Sequence, residues 1–373
     1  MIRPHDMRFM KLALNLAVRG LGQVAPNPAV GCVIVREEEG EEPRIVGRGW
    51  TQAGGRPHAE TEALVRAGDL ARGATAYVTL EPCSHHGKTP PCAEALIAAG
   101  IRRVVAAIGD PDPRVSGRGF SLLRGAGIEV VEGVCAAEAA ELNRGFLLKV
   151  TEGRPMVLLK VASTLDGKTA MRSGESMWIT GPAARRRGHL SRALADAIMV
   201  GSLTAIMDDP ELTCRLPGLE GRSPVRIVAD SHLRLPLTSK LVQQAGARPL
   251  WLVVTEGCDP VRRAAYEGCG VRIITAPASA GDHIDVAAAL REFGRLGLTR
   301  LLVEGGSQLA AALLRAGLVD RIDWYFAGKL IGSDGHPAIA SLGIENLIDV
   351  PRFELKSLVP LDGDVLARYS AQP

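Results

Sequence analysis

Apolar positions recur with a helical period at the start of the chain. Met7, Met10, Leu14 and Val18, followed by Gly20 as a stop, predict an amphipathic helix over 6–19. Two short β-rich runs follow, AVGCVIV at 29–35 and RIVGRGW at 44–50. The acidic tip EEEGEE between them reads as a solvated hairpin loop. A helix over 59–67, a strand at 75–80, a helix over 92–99 and a strand at 103–108 come next, and a further helix leads to a strand at 128–133. Strands alternating with helices predict an α/β sandwich around one sheet.

The polar stretch KVTEGRP at 149–155 reads as a linker, after which the alternation restarts. Strands are expected at 156–162, 197–201, 225–229, 251–255, 271–275, 300–306 and 322–330, with helices over 182–195, near 285–296 and after 306. We therefore expect two α/β domains, 1–150 and 151–373. A chain of 373 residues gives each enough length to bury its own core.

Composition narrows the function classes. Hydrophobic residues make 46% and charged residues 23%, as in ordinary globular chains. The net charge of +3 is evenly spread: residues 1–150 hold 18 Lys+Arg against 17 Asp+Glu, and the remainder 26 against 24. No concentrated basic face marks a nucleic-acid partner. No run of 18 apolar residues predicts a membrane span, and the first twenty residues lack a secretory h-region, so they read as a helix. Seven cysteines without framework spacing suit a reducing, cytoplasmic setting. Cys32, Cys135, Cys214, Cys258 and Cys269 read as core filler or incidental thiols.

The chemistry is carried by His58-Ala59-Glu60, Pro82-Cys83 and Pro91-Cys92. One imidazole and two thiolates make three zinc ligands and leave the fourth tetrahedral position open. Glu60, two residues from His58 and not a ligand, can carry protons for water at that position. A closed structural zinc has no need of such a carboxylate. His58 and Cys92 fall at predicted helix starts, where the helix dipole favours thiolate. Base deaminases show P-C-x-x-C, whereas here eight residues, SHHGKTPP, separate Cys83 from Cys92. In the second half no G-x-G-x-x-G occurs. RLLVEGGSQLAAALL at 300–314 instead runs a strand through Gly305-Gly306 into a helix, a turn whose amides can approach a phosphate.

Together, HAE, TLEPCSHHGKTPPC and APNPAVGCVIV closely resemble the bifunctional riboflavin-biosynthesis deaminase/reductase family. LKVASTLDGKTAMRSGESMWITG at 159–181, MDDPELTCR, VADS and VEGGSQLAAALL look like its reductase half, a dihydrofolate-reductase-like fold. The resemblance implies a cytidine-deaminase-like αβα sandwich binding Zn²⁺ through His58, Cys83 and Cys92, followed by a domain using NADPH. It brings Lys88 and His85 toward the metal for a substrate bearing a ribose phosphate, and makes Asn27 a pyrimidine contact. In the reductase half it makes Ala162, Trp178, Thr204, Asp208, Ser231, Gly306, Ser307, Gln308, Leu309, Ala310, Ala311 and Ala312 cofactor contacts. Ser176, Arg192, Leu212, Arg215 and Glu304 become substrate contacts. Lys160 and Asp166 share these motifs, with Lys160 expected to orient the sugar.

Arg192 and Arg215 supply the planar donors a phosphate calls for, whereas Arg185, Arg186 and Arg187 read as a solvated helix face. His86 reads as a loop residue, and His189, His232, His283 and His336 are assigned no role. The resemblance implies deamination of a phosphoribosylaminopyrimidine and then reduction of its ribose, by a cytoplasmic homo-oligomer acting on a small molecule. The alternatives are a base or tRNA deaminase with a repurposed C-terminal half, and a zinc-stabilised binding module with a dead site.

Overall fold

A computed structural model describes residues 2–38, 40–86, 90–112, 116–279 and 281–372. The chain forms two compact units, Met1–Gly153 and Arg154–Pro373. In the first, the order is α1 (Asp6–Ala17), β1 (Gly31–Arg36), β2 (Arg44–Trp50), α2 (Ala59–Ala67), β3 (Thr75–Val78) and α3 (Cys92–Ala98). It continues with β4 (Arg103–Ala106), α4 (Arg118–Gly125), β5 (Glu129–Val131), α5 (Ala136–Leu142) and α6 (Arg144–Glu152). The five strands line up as β2-β1-β3-β4-β5. β1 runs antiparallel to β2 and β3, and β3, β4 and β5 run parallel.

The strand pleat explains the sandwich. Cys32 and Ile34 of β1 face one core, shared with Ala59 and Ala63 of α2 and with Ala93 and Leu96 of α3. Val33 and Val35 face the other, shared with Phe9, Met10, Ala13 and Leu14 of α1. α2 lies directly on β2, because Gly47 and Gly49 present no side chain to it. A Cβ on Gly49 would stand 2.1 Å from the Ala59 carbonyl oxygen. That close approach sets where α2 begins, and so where His58 sits.

The second unit contains β6 (Met156–Thr164), β7 (Lys168–Met171), α7 (Pro182–Ala193), β8 (Ala197–Gly201), α8 (Ser202–Asp208) and β9 (Val225–Ala229). Next come α9 (Lys240–Gln243), β10 (Leu250–Val254), α10 (Pro260–Gly268), β11 (Arg272–Thr275), β12 (Ala278–Ser279), β13 (His283–Ile284) and α11 (Val286–Arg295). β14 (Arg300–Val303), α12 (Ser307–Arg315), β15 (Arg321–Ala327), β16 (Gly335–Pro337), β17 (Phe353–Leu361) and β18 (Asp364–Ala371) complete it. Its main sheet has the order β11-β10-β9-β8-β14-β6-β15-β18-β17. The strands are parallel from β11 to β15, and β18 and β17 add antiparallel. Two cores again cover the two faces, one with α11 and α12, the other containing Ile198, Val228 and Leu252.

Two expectations change, and one hairpin had not been expected. The stretch expected as a linker from 149 is helical through Glu152, because Phe146, Leu147 and Val150 turn toward the core and continue the helix. The hairpin β17–β18 was not legible, since the alternation begun by Phe353, Glu354, Leu355 and Lys356 breaks at the irregularity between Leu355 and Ser357. The arginines of α7 do not form a simple solvated face, as the site shows. Among the described residues, no helix is long and apolar enough to cross a membrane.

Candidate active sites

In the first unit, strand β3 runs into Leu80-Glu81-Pro82-Cys83, and helices α2 and α3 begin next to that exit. His58 is the residue before α2 and Cys92 opens α3. His58 Nδ1 lies 3.3 Å from Cys92 Sγ and 3.6 Å from Cys83 Sγ. The three ligand atoms all fall within 4.8 Å of one another. Tetrahedral zinc with ordinary Zn–N and Zn–S bonds spaces its ligands about 3.6 Å apart, so the donor set fits the ion in type and in spacing.

The three donors perturb one another. The Cys92 thiol and backbone N–H and the His58 ring hydrogen-bond Cys83 and draw its thiol down to about 4. The same thiol–thiol contact, with burial, pushes Cys92 up, and His58 is raised by its bond to Cys83. A dication would displace these protons. Glu60 is 3% exposed. Burial first, and the Cys83 charge second, push its carboxyl up to about 7.

Glu60, His58 and Cys83 line a pocket of about 190 Å³ together with Asn27 and His85. Asn27 is held close against the 53–55 turn, where a Cβ on Gly55 would meet its side-chain nitrogen at 1.9 Å. Lys88 lies outside the described residues. Sequence reasoning missed Glu81, Asp110, Phe146 and Lys149, which line the same pocket. Glu81 is buried, and its carboxylate accepts from the backbone N–H of Gly119 (2.9 Å), Gly117 (3.0 Å), Asp110 (3.2 Å) and Phe120 (3.4 Å). It thereby ties the residue before Pro82-Cys83 to the wall carrying Asp110, whose carboxyl burial pushes up to about 6. The signal available was its place inside LEPC.

In the second unit the strand order reverses between β8 and β14. From β8 the chain passes through α8 to β9 on one side; from β14 it passes through α12 to β15, beyond β6 on the other. Open α/β sheets bind ligands at the carboxyl ends of the strands flanking such a point. Gly305 and Gly306 sit there with φ of 137° and 88°, values an L side chain rarely adopts, and a Cβ on Gly305 would meet Thr204 Cγ2 at 3.3 Å. α12 starts immediately after, so the amides of Ser307, Gln308 and Leu309 open toward the crevice, a phosphate-binding arrangement. The side chains of Leu309, Ala310 and Ala311 turn into the core, while Ala312 is half-buried. Ala162, Thr204, Asp208 and Ser231 lie on β6, on α8 and after β9, around the same strand ends. These residues fit a dinucleotide.

Beside the crevice, a cleft of about 560 Å³ is lined by Lys160, Trp178, Arg192, Arg215 and Glu304 from the expected set. Ser176, half-buried, and Leu212, buried with φ of 56°, are not among its lining residues. Arg192 is not an open phosphate clamp: its Nε and Nη2 donate to Glu304 at 2.7 and 2.9 Å, and Nη1 to the Thr213 carbonyl at 3.0 Å. Burial alone would raise Glu304, but Arg192 and then Lys160, 3.8 Å away, hold its carboxyl at about 2. Asp166 accepts from the Thr164 hydroxyl and the Ile331 and Gly332 amides, a loop anchor.

Arg185, Arg186, His189 and Tyr325 also line the cleft. Arg185 sits 4.5 Å over the Trp178 ring and donates to the Thr180 carbonyl. Spacing could have found this face: residues 185, 189 and 192 are related by i, i+4 and i+7 on one helix. His189 accepts the Arg215 amide at 3.3 Å and lies 3.2 Å from the Thr213 carbonyl, so it supports the 213–215 segment.

Residues 155–367 match the RibD C-terminal domain, and residues 3–108 match the cytidine and deoxycytidylate deaminase zinc-binding region. The riboflavin biosynthesis protein RibD of Escherichia coli strain K12 is 45% identical over 371 residues, covering 96% of this chain and 98% of that protein. The chain belongs to the RibD family. RibD of Aquifex aeolicus is 41% identical over 366 residues, covering 98% of each. Acinetobacter baumannii RibD superposes with a TM-score of 0.88 at 39% identity over 99% of both chains. A Thermotoga maritima protein described as a diaminohydroxyphosphoribosylaminopyrimidine deaminase/5-amino-6-(5-phosphoribosylamino)uracil reductase does so with 0.84 at 36%, over 98% of this chain and 99% of that one. The chain is thus a bifunctional deaminase and reductase of the riboflavin pathway, rather than a base or tRNA deaminase with a repurposed half. Zn²⁺ suits its deaminase domain and NADPH its reductase domain.

Proposed function

We propose that residues 1–150 hydrolyse the ring amino group of 2,5-diamino-6-ribosylamino-4(3H)-pyrimidinone 5′-phosphate, and that residues 151–373 then reduce the ribosyl group to ribityl. The observation that carries this is the cluster of His58, Cys83 and Cys92 at a pocket lined by His58, Cys83 and the buried Glu60 in the first unit, with a separate cationic cleft in the second. Zinc held by the three ligands would act as a Lewis acid that acidifies water. Glu60, buried beside the three donors with its carboxyl raised to about 7, is the residue placed to accept a proton in this pocket and to deliver it to the leaving ammonia. Asn27 offers the pyrimidine one donor and one acceptor. His85, which lines the pocket, takes the sugar-phosphate side, a role the family resemblance also implies for Lys88.

In the second unit NADPH would supply the hydride, and the protein's work is to hold the two carbons together. Glu304 fixes Arg192 and Lys160 in the cleft. Lys160 orients the sugar, Arg215 meets the phosphate, and Ser176 and Leu212 complete the substrate contacts. Ala162, Trp178, Thr204, Asp208, Ser231 and the segment 306–312 hold the cofactor. The family resemblance supports these roles, together with the placement of Ala162, Thr204, Asp208 and Ser231 around the strand ends and of Lys160, Trp178 and Arg215 in the cleft.

The enzyme works in the cytoplasm as a homo-oligomer on a small molecule, with no nucleic-acid partner. Seven free cysteines, the evenly spread charge and the exposed Leu347, Ile348, Leu355 and Leu358 support that reading; a monomer mass by light scattering would refute the assembly. The chemical test supplies the diaminopyrimidine phosphate, NADPH and zinc, and follows ammonia and NADPH together. Ammonia appears first; NADPH oxidation preceding ammonia would overturn the order of steps.

A further inference from the structure

The cleft wall that carries Trp178 and Thr180 is neither helix nor strand: it is the chain between β7 and α7. Trp178 is 59% exposed, so burial does not fix its ring. Polar contacts fix the segment instead. Lys329 Nζ donates to the Trp178 carbonyl at 2.7 Å. Arg185 donates to the Thr180 carbonyl at 2.9 Å and lies 4.5 Å over the Trp178 ring. The buried Asp364 carboxylate accepts the Gly181 amide at 2.6 Å, immediately before α7.

Two of these three anchors come from the far end of the chain, and the sheet brings them together. Ala327 ends β15 with Thr164 of β6 opposite it on one side and Asp364 of β18 on the other. Lys329 follows two residues later, so it and Asp364 stand at neighbouring strand ends. The Lys329 backbone is itself tied down: its amide donates to the Ala327 carbonyl at 2.7 Å, and its carbonyl accepts the Leu165 amide at 2.9 Å. Asp166 then holds the Ile331 and Gly332 amides. An exposed lysine is ordinarily a solvated charge. This one pairs with no carboxylate among the described residues and ends on a main-chain oxygen. A donor aimed at a carbonyl fixes backbone position rather than balancing charge.

Resting on the reading of Trp178 as a coenzyme contact, we propose that Lys329 is a positioning residue of the reductase, which holds the Trp178 main chain so that the ring meets the nicotinamide coenzyme in one place. Thr180 and Gly181 keep their own anchors, so removing the ammonium frees the segment only at Trp178. Binding then has to order the ring, and affinity falls.

The test titrates NADPH into the full-length enzyme by nicotinamide fluorescence, with Lys329→Met, Lys329→Arg, Trp178→Ala and the Lys329→Met/Trp178→Ala double variant alongside. Lys329→Met weakens NADPH about five- to tenfold, the lower range for a charged hydrogen bond because the ammonium is exposed. Lys329→Arg recovers most of the loss, since it keeps a donor on a long stem. In the Trp178→Ala background, Lys329→Met adds less than about twofold, because the group it positions is gone. In the coenzyme-free protein, amide exchange over 177–180 quickens about fivefold in Lys329→Met. NADPH binding unchanged in Lys329→Met, or a loss of equal size with and without Trp178, would overturn the assignment. Trp178→Ala separates this from the underlying reading. If it weakens NADPH while Lys329→Met does not, the proposal fails alone; if it leaves NADPH binding intact, both fail.

Discussion

Removing the charge of Glu304 exposes how the reductase cleft is built. In Glu304→Gln, the guanidinium of Arg192 and the ammonium of Lys160 lose the buried anion 2.7–3.8 Å away that balances them. The carboxyl moves from an ordinary 4.5 to about 2 in the folded chain. That shift corresponds to about 3 kcal/mol of stability at neutral pH, and breaking a buried pair costs a similar 3–5 kcal/mol, roughly. In a unit of about 220 residues the loss lowers the midpoint temperature by about 6–12 °C.

The pH dependence has a definite sign. A carboxyl whose folded pKa is depressed contributes fully above its unfolded value, and the contribution disappears as pH falls from about 4.5 through about 2. The parent and variant curves should therefore lie apart at pH 7 and converge toward pH 2. Tryptophan fluorescence during thermal unfolding reads this well, because Trp178, Trp251 and Trp324 belong to the second unit and Trp50 alone to the first. Parallel curves from pH 5 to pH 2, or equal midpoints at pH 7, would refute the reasoning.

Three further outcomes follow from other sites. Asp6→Asn removes a buried carboxylate held by Arg103 at 2.7 and 2.8 Å and by Tyr77 at 2.9 Å; it should cost the first unit about 3–5 kcal/mol, seen as faster amide exchange in α1, with NADPH affinity unchanged. Glu81→Gln replaces an acceptor of four backbone donors with a group that can satisfy only part of them; ammonia release should fall about tenfold or more while reduction is untouched, and an unaltered rate would remove Glu81 from the site. Arg185→Ala removes the cation over Trp178, worth about 1 kcal/mol, so the KM of reduction should rise about fivefold. An unchanged KM would return the α7 arginines to a solvated face.

Much of the deaminase half was legible because its determinants are local. Apolar period and helix-start position put His58 and Cys92 at the openings of α2 and α3, and a ligand set needs only residue type and order to be recognised. The reductase half was legible in its strands and its glycine turn, for the same reason. What escaped depends on contacts remote in sequence. Nothing near Arg192 announces that its fork is closed by Glu304, 112 residues away. Nothing near Lys329 announces that its ammonium comes to rest on the Trp178 carbonyl, 151 residues before it. Glu81 was readable as part of LEPC, but its work, gathering amides from 110 to 120, appears only when the chain returns past β4. The β17–β18 hairpin was missed because the alternation that Phe353, Glu354, Leu355 and Lys356 begin is broken by the irregularity between Leu355 and Ser357.

The central claim is that two independent chemistries share this chain, with the proton carrier of the first playing no part in the second. Glu60→Gln measures it most directly. The variant should keep stoichiometric zinc, because its three ligands are untouched. It should lose ammonia release from the diaminopyrimidine phosphate, and reduce the pre-deaminated substrate with NADPH at the parent rate. Loss of that reduction together with deamination, in a variant that still holds zinc, would contradict it.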